Sequence, residues 1–184
     1  LRDTQRDVSE LSRSLSVANT RNDARFDGGN RPIITVIPAY NEAASIESVL
    51  MSLPKQLNSH PVESIVVSDG SDDKTAIRAA DAGATVAEPP INQGQGGALR
   101  TGFQLADKKN PAVVVTMDAD GQHPIEELPN LVQPILDGEA DYVMGSRYRG
   151  VDRTGNGIVR KSGIRFFTWA INLLTKSTVT DCTN

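Results

Sequence analysis

The 184-residue sequence holds a single cysteine, Cys182, which excludes an internal disulfide framework and any cysteine-based zinc cage and fits a reduced, cytoplasmic setting. It has no uninterrupted apolar run near the ~20 residues of a membrane span, so contact with a membrane is expected from its surface only. Residues 1–30 are polar and contain Arg2, Arg6, Arg13, Arg21 and Arg25, unlike a signal peptide. Repeats and low-complexity tracts are absent. A large basic excess is absent too: the net charge is −4, and nucleic acid is not an expected partner. The charge is unevenly spread, however. From Arg147 to Arg165 six basic residues (Arg147, Arg149, Arg153, Arg160, Lys161, Arg165) face one acid, Asp152, a local +5 that leaves −9 elsewhere. An anion site and a merely solvated basic face are both open readings.

The length suits one ordinary domain with a substantial core. Residues 1–30 differ in composition from the rest and are expected to form an N-terminal extension. Leu1, Val8, Leu11 and Leu15 give it a weak amphipathic helical pattern before Asp27-Gly28-Gly29-Asn30 breaks the chain. A docking or oligomerisation helix and a loosely packed appendage are the two readings. The domain proper is expected over 31–184.

There, β-branched runs alternate with helical patterns. Strands are predicted at Ile33–Ile37, Ser64–Ser68, Thr85–Ala87, from Val113, and at Tyr142–Met144. Helices are predicted over Glu42–Leu53, Asp73–Ala82, Gly97–Lys108 and Pro124–Leu136. This alternation argues for an α/β fold with a mostly parallel, doubly wound sheet and helices on both faces.

The most informative stretch is Val113-Val114-Val115-Thr116-Met117-Asp118-Ala119-Asp120-Gly121-Gln122-His123-Pro124, a buried-strand run ending in two carboxylates. Residues two apart on an extended segment share a side, so Asp118 and Asp120 can converge on one hard cation, Mg²⁺ or Mn²⁺, while the small Ala119 leaves room for a ligand. Roughly one Asp-x-Asp is expected by chance in a chain this rich in Asp, so the position at a strand's carboxyl end carries the weight. An Asx-turn leading into a helix start at Pro124 is the plainer reading.

The other strands also end in chemically equipped loops. Pro38-Ala39-Tyr40-Asn41-Glu42 offers an aromatic face, an amide and a carboxylate; Glu42 serves equally well as a helix-start acid. Ser68-Asp69-Gly70-Ser71-Asp72 holds Asp69, a hydrogen-bond acceptor for a base, and caps for the next helix. Asn92-Gln93-Gly94-Gln95-Gly96-Gly97 is a glycine-rich helix start whose N–H groups can approach phosphate, without the Gly-Lys-Ser/Thr of a Walker loop.

In order and spacing these segments, with Gly145-Ser146-Arg147-Tyr148, resemble the family-2 glycosyltransferases of GT-A fold, and among them the polyprenyl-phosphate sugar transferases of the dolichol-phosphate mannose synthase type. The resemblance covers Ile33 to the chain end. It implies a nucleotide-sugar donor held by Pro38, Tyr40, Glu42, Asp69, Gly94, Gln95, Gly96 and Ala119, with Tyr40, Glu42 and Asp69 on the nucleoside. It implies a metal on the diphosphate held by Asp118, Asp120 and Gln122. It further implies that Arg147 and Arg160, with Ser162 near them, face the phosphate of a polyprenyl acceptor, Arg147 together with Asp118 and Asp120 forming the catalytic set. Two features depart from the pattern. Neutral Gln95 stands where relatives often have Gly-Lys-Gly, and the chain stops at Asn184 where relatives continue into a Ser-Gly-Phe-Arg segment and further helices, so its C-terminal part is expected to be truncated.

A polyprenyl phosphate is already ionised near neutrality and needs little or no general base, which accommodates the lack of an obvious catalytic histidine; His123 is expected to be structural. Direct in-line attack would invert the anomeric centre. Ile164, Phe167, Ile171 and Leu174, flanked by Arg160, Lys161 and Arg165, read either as a helix at the cytoplasmic face of a membrane or as an ordinary core helix. A family-2 transferase with a hydroxyl acceptor would generally need a carboxylate base, for which Asp181 is the late candidate. A non-catalytic nucleotide-sugar-binding module is a further alternative, whereas a phospho-receiver domain leaves the glycine loop and the Asp-x-Asp-Gly-Gln cluster unexplained.

Overall fold

The computed structural model describes residues 2–18 and 30–145. Two compact units divide the chain, Leu1–Leu136 and Asp137–Asn184.

The first unit is built on strands whose residues are buried on both faces. β1 (Ile33–Ala39) lies at the centre, paired in parallel with β3 (His60–Ser68) on one side and β5 (Val113–Thr116) on the other. β4 (Thr85–Ala87) extends the sheet in parallel beyond β3. A two-residue strand, β2 (Gln56–Leu57), folds antiparallel onto the start of β3 through Asn58 and Ser59, both at positive φ (48° and 67°), the backbone that a tight hairpin turn demands. The core order β4-β3-β1-β5 therefore reverses at β1. In such sheets the crevice beyond the carboxyl ends of the strands at the reversal is where ligands bind.

Helices cover both faces, as the strand pattern predicts. On one, Ile37, Ala39, Val66 and Val86 pack against Ile46, Val49 and Leu50 of α2 (Ile46–Ser52) and Ala76 and Ala79 of α3 (Thr75–Asp81). On the other, Ile34, Val36, Ile65 and Val67 meet Ala98, Leu105 and Ala106 of α4 (Gly94–Asp107). Close approach is essential there: a Cβ on Gly102 would lie 2.3 Å from Val36 Cγ1, so only glycine lets α4 settle onto β1. Ile33 and Val113 pack with Leu128 and Val132 of α5 (Leu128–Leu136), which a single 3₁₀ turn, Ile125–Glu127, precedes.

Several expected boundaries move. The helix expected from Glu42 starts at Ile46, because Glu42–Ser45 forms a turn in which the Glu42 carbonyl accepts from both Ser45 N (3.2 Å) and Ile46 N (3.0 Å). The helix expected from Gly97 starts three residues earlier, at Gly94. The expected strand Tyr142–Met144, in the second unit, is not one: no strand ladder includes it among the described residues, and Tyr142 and Met144 are exposed. A three-residue apolar run without a hydrogen-bonding neighbour has nothing to hold it extended.

The N-terminal segment does form a helix, α1 (Arg2–Ala18), but its apolar stripe faces outward: Val8, Leu11 and Leu15 are 45%, 61% and 50% exposed. Ser12, Arg13 and Ser16 are buried instead, on the side that meets α4. Asp27-Gly28-Gly29, the expected breaker, lies outside the described residues.

Candidate functional site

The loops after β1, β3, β4 and β5 meet at the carboxyl edge of the sheet. The loop after β1 turns at Asn41, a non-glycine residue at φ 56°. Asn41 is stitched to the loop after β3: its N–H donates to Ser71 Oγ (3.1 Å) and its Oδ1 accepts from Asp72 N (2.9 Å). Glu42 N donates to Thr75 Oγ1 (2.8 Å) and Ala43 N to Asp73 Oδ2 (3.0 Å). The Asp73 carboxyl sits below its ordinary value; burial works against its charge, but hydrogen bonds from the Thr75 side chain and from the backbone of Thr75 and Ala43 prevail. Glu42 lies ahead of α2 rather than in its first turn; its Oε2 accepts from Ser45 Oγ (2.6 Å), and the residue borders the cleft.

Asp69 follows directly on β3, its N–H continuing the ladder to Ala39 O (2.9 Å). The side chain is 3% exposed, and its carboxylate accepts from Gln93 N at both oxygens (3.0 and 2.9 Å). Burial raises the Asp69 carboxyl above its ordinary value despite the opposing hydrogen bonds from the backbone of Gln93 and Gly94. Gly70, at φ +68°, lets the loops after β3 and β4 touch; a Cβ there would stand 2.6 Å from Asn92 N.

The glycine-rich loop starts α4. Gly94 N donates to Asn92 Oδ1 (3.0 Å), and the Gln95 amide crosses to Asp118, Nε2 to Oδ1 at 3.3 Å. The N–H groups at such a helix start lack partners within the helix and carry partial positive charge.

β5 ends at Thr116, so strand alternation does not by itself bring Asp118 and Asp120 together. A turn does: Gly121 adopts φ +74°, Gln122 N donates to Asp120 Oδ1 (2.9 Å), and both carboxylates border the same cleft. The Asx-turn and the pair of cleft-lining carboxylates are thus one structure. His123 stands beyond the turn, its Nδ1 buried without a hydrogen-bond partner among the described residues.

The cleft encloses about 460 Å³, within the range of ligand sites. Of the residues expected to hold a donor or metal, Pro38, Tyr40, Glu42, Asp69, Gly94, Gln95, Asp118, Ala119 and Asp120 line it. Gly96 and Gln122 are exposed and are not part of that lining. Ala39, Asn92 and Ala98 line it as well and were not singled out from the sequence; the Asn two residues before a glycine-led helix was the available signal for Asn92. Arg147, Arg160, Ser162 and the apolar stretch 158–174 lie outside the described residues. The described lining contains four carboxylates and no lysine or arginine.

This donor set suits a small hard cation. Among the described residues no group of three or more His, Cys, Asp or Glu side chains is placed to hold a metal alone. A Mg²⁺-type ion characteristically takes one or two carboxylates and completes its shell with substrate phosphates and water, which is what the Asp118–Asp120 pair can offer.

Comparison with known proteins gives a concordant result. The sequence profile described as Glycosyl transferase family 2 matches residues 34–183. The chain is similar to the UDP-N-acetylglucosamine--dolichyl-phosphate N-acetylglucosaminyltransferase of Methanococcus voltae, 29% identical over 161 residues, covering 76% of this chain and 62% of that protein. It is similar to the undecaprenyl-phosphate mannosyltransferase of Micrococcus luteus, 36% identical over 121 residues, covering 62% and 48%. A crystal structure of glucosyl-3-phosphoglycerate synthase from Mycobacterium tuberculosis, in complex with Mn²⁺, UDP and glucosyl-3-phosphoglycerate, is 38% identical, covers 60% of this chain and 41% of that one, and superimposes with a TM-score of 0.49. The chain spans about half the length of the curated relatives it matches.

Proposed function

The chain belongs to glycosyl transferase family 2, and on that premise we propose that it moves a hexose from a UDP- or GDP-linked donor to a polyprenyl phosphate, with inversion and with Mg²⁺ or Mn²⁺. The observation that carries the donor half is the cleft itself: four loops at the sheet's reversal, two carboxylates on one turn, and a helix start opposite them. Tyr40, half exposed at the rim, offers a face to the base or ribose, and Asp69 offers an acceptor to a base N–H. The N–H groups opening α4 face the diphosphate. Asp118 and Asp120 hold the cation, which supplies Lewis-acid stabilisation of the charge developing on the leaving diphosphate.

In the transfer, an acceptor phosphate oxygen forms a bond to the anomeric carbon as the bond from that carbon to the diphosphate oxygen breaks, and the nucleoside diphosphate leaves with the electron pair. No proton has to be removed from an ionised phosphate, so the cleft need not present a base. Arg147 and Arg160, with Ser162, are assigned to the acceptor phosphate, and the +5 segment from 147 to 165 to a peripheral contact with the cytoplasmic face of a membrane. The names of the Methanococcus and Micrococcus relatives support a lipid-phosphate acceptor. Among the described residues no helix is long and apolar enough to cross a membrane.

A second reading has its own support: the glucosyl-3-phosphoglycerate synthase of Mycobacterium tuberculosis is 36% identical over 148 residues, covering 70% of this chain and 44% of that one. A donor panel of UDP- and GDP-sugars with Mn²⁺ or Mg²⁺, assayed with polyprenyl phosphate and with 3-phosphoglycerate, separates the two. Transfer to the lipid phosphate is expected; transfer to phosphoglycerate alone would replace the proposed acceptor.

A further inference from the structure

We propose that α1 is a pairing helix, whose outward seam docks against the same seam on a second copy of this chain with the two helices antiparallel. Val8, Leu11 and Leu15, spaced by three and four residues, are exposed along one side of α1, and Ala18 follows at the next step of the same spacing. In sequence, Leu1 stands seven residues before Val8, as Val8 stands seven before Leu15. The residues between Val8 and Leu15 other than Leu11 are all polar. A stripe confined to these two positions of a seven-residue repeat is narrower than the face with which a helix covers a sheet. It is the seam by which one helix packs into another.

The seating of α1 on the domain presents that seam to the outside. Val17 packs against the cluster that holds Ile34, Ile65 and Leu105, and Gln93 Nε2 donates to Ser12 Oγ at 3.5 Å. Ser12, Arg13 and Ser16 are buried on this inner side. A guanidinium turned inward and three large apolar side chains turned outward reverse the usual amphipathic arrangement. Covering the outer side removes the apolar part of that cost.

Charge and symmetry point to a second copy as the occupant. Within α1, Arg2, Arg6 and Arg13 balance Asp3, Asp7 and Glu10, so two such helices approach without net repulsion. An anionic membrane surface draws helices with a basic polar face, which this neutral helix does not offer. The other described helices expose single large apolar side chains and no repeated seam: Met51 on α2, Ile77 on α3 and Phe103 on α4. A two-fold axis makes a seam its own complement. Antiparallel pairing sets Leu11 of one copy between Val8 and Leu15 of the other and opposes the two helix dipoles favourably. The 17 residues of α1 run about 25 Å. One helix pair of that length covers less than the roughly 1,200 Å² of a standard interface, so the dimer is a weak one, dissociating at about 10–100 µM.

The test is sedimentation equilibrium of the intact chain from about 1 to about 300 µM, a range that brackets the expected dissociation constant. Wild type is expected to pass from monomer to dimer across it. Leu11→Asp should stay monomeric throughout. Leu11→Ala with Leu15→Ala raises helix propensity while removing both side chains from the seam, so it keeps α1 folded and should weaken the dimer at least about tenfold. Both proteins should retain the wild-type circular dichroism spectrum, since these leucines are exposed. Leu11→Cys in a Cys182→Ser background, oxidised at the highest concentration, is expected to give a disulfide-linked dimer. A wild-type protein that is monomeric up to about 300 µM overturns the proposal, and so does a dimer that neither set of seam variants weakens. A seam that serves lipid instead would appear as a monomer whose binding to phosphatidylcholine–phosphatidylglycerol vesicles is lost in Leu11→Asp. A seam covered from within the chain would appear as a monomer in which a photoreactive group on Leu11→Cys cross-links to residues 146–184 of the same molecule. Either result replaces the second copy as the occupant and overturns the proposal.

Discussion

The backbone N–H of Gln93 donates to both carboxylate oxygens of Asp69, at 3.0 and 2.9 Å. This contact fastens the start of α4 to the end of β3, so Asp69 shapes the glycine-rich loop in addition to the nucleotide-acceptor role proposed for it. Gln93 also connects outward, its amide Nε2 lying 3.5 Å from Ser12 Oγ of α1.

Asp69→Ala is expected to weaken donor binding by about 1–3 kcal/mol, the cost of stranding a buried hydrogen-bond partner. Calorimetry with UDP and GDP measures the loss, and faster amide exchange at Gln93 would accompany it. The raised Asp69 carboxyl adds a pH signature. Its ionised form accepts the base N–H, so donor affinity should fall on acidification through a value above the ordinary 3.8, and Asp69→Asn should remove that step. The stability effect runs the other way: a raised carboxyl favours the folded state while protonated, fully below 3.8, and that contribution is lost as pH rises through the folded value. Donor affinity and thermal stability should thus show opposite pH slopes from this one group. Parallel slopes would show that Asp69 is not the group that sets the pH dependence.

Asp118→Asn and Asp120→Asn each remove one hard anionic ligand. Both should depress metal-dependent donor binding, and transfer should fall by at least about tenfold in kcat/KM. Asp120→Asn retains an oxygen for the Gln122 N–H, so its turn should persist while its metal affinity drops. Unchanged donor affinity in both folded variants would remove the metal assignment.

Much of this arrangement was legible beforehand, and the reasons are physical. Thr85–Ala87 forms over the predicted residues, and the β1, β3 and β5 runs were visible, because strands covered on both faces must be continuously apolar and β-branched. The loops after them were legible because polar and glycine residues interrupt those runs at the same end of each strand. Hairpin strand β2 was not, since two residues, Gln56 and Leu57, carry no period and only the positive φ of Asn58 and Ser59 reveals the turn. The outward stripe of α1 was equally hidden: amphipathicity specifies a face, not which face the domain will take, and here Ser12, Arg13 and Ser16 are the buried ones. Asn92 borders the cleft beside Gly70, and its place two residues before Gly94 was the one local sign of it.

Gly102→Ala tests the frame behind the site. The added methyl would fall 2.3 Å from Val36 Cγ1, between α4 and β1, the strand that leads into Tyr40. Overpacking of this kind costs about 1–3 kcal/mol, so the denaturation midpoint should drop accordingly. Glycine's low helix propensity works in the opposite direction by about 1 kcal/mol, so a variant as stable as wild type would mean that α4 shifts outward at little cost. In that case donor affinity should still fall, because α4 carries Gly94 and Gln95.

On the proposed reading, Arg147 and Arg160 serve the acceptor rather than the donor. The local +5 in a chain of net −4 is suited to an anionic partner, and a phosphate head beside an apolar tail would account for the arginines and for Phe166, Phe167 and Trp169 close to them in sequence. Arg147→Ala and Arg160→Ala in the intact protein are expected to raise KM for polyprenyl phosphate while donor binding changes little. Association with vesicles containing anionic lipid should weaken as salt rises, since the Debye length shrinks from about 10 Å at 0.1 M to about 3 Å at 1 M. Loss of donor affinity instead, with acceptor dependence and vesicle binding unaltered, would move both arginines to the nucleotide and leave the lipid acceptor without support from this segment.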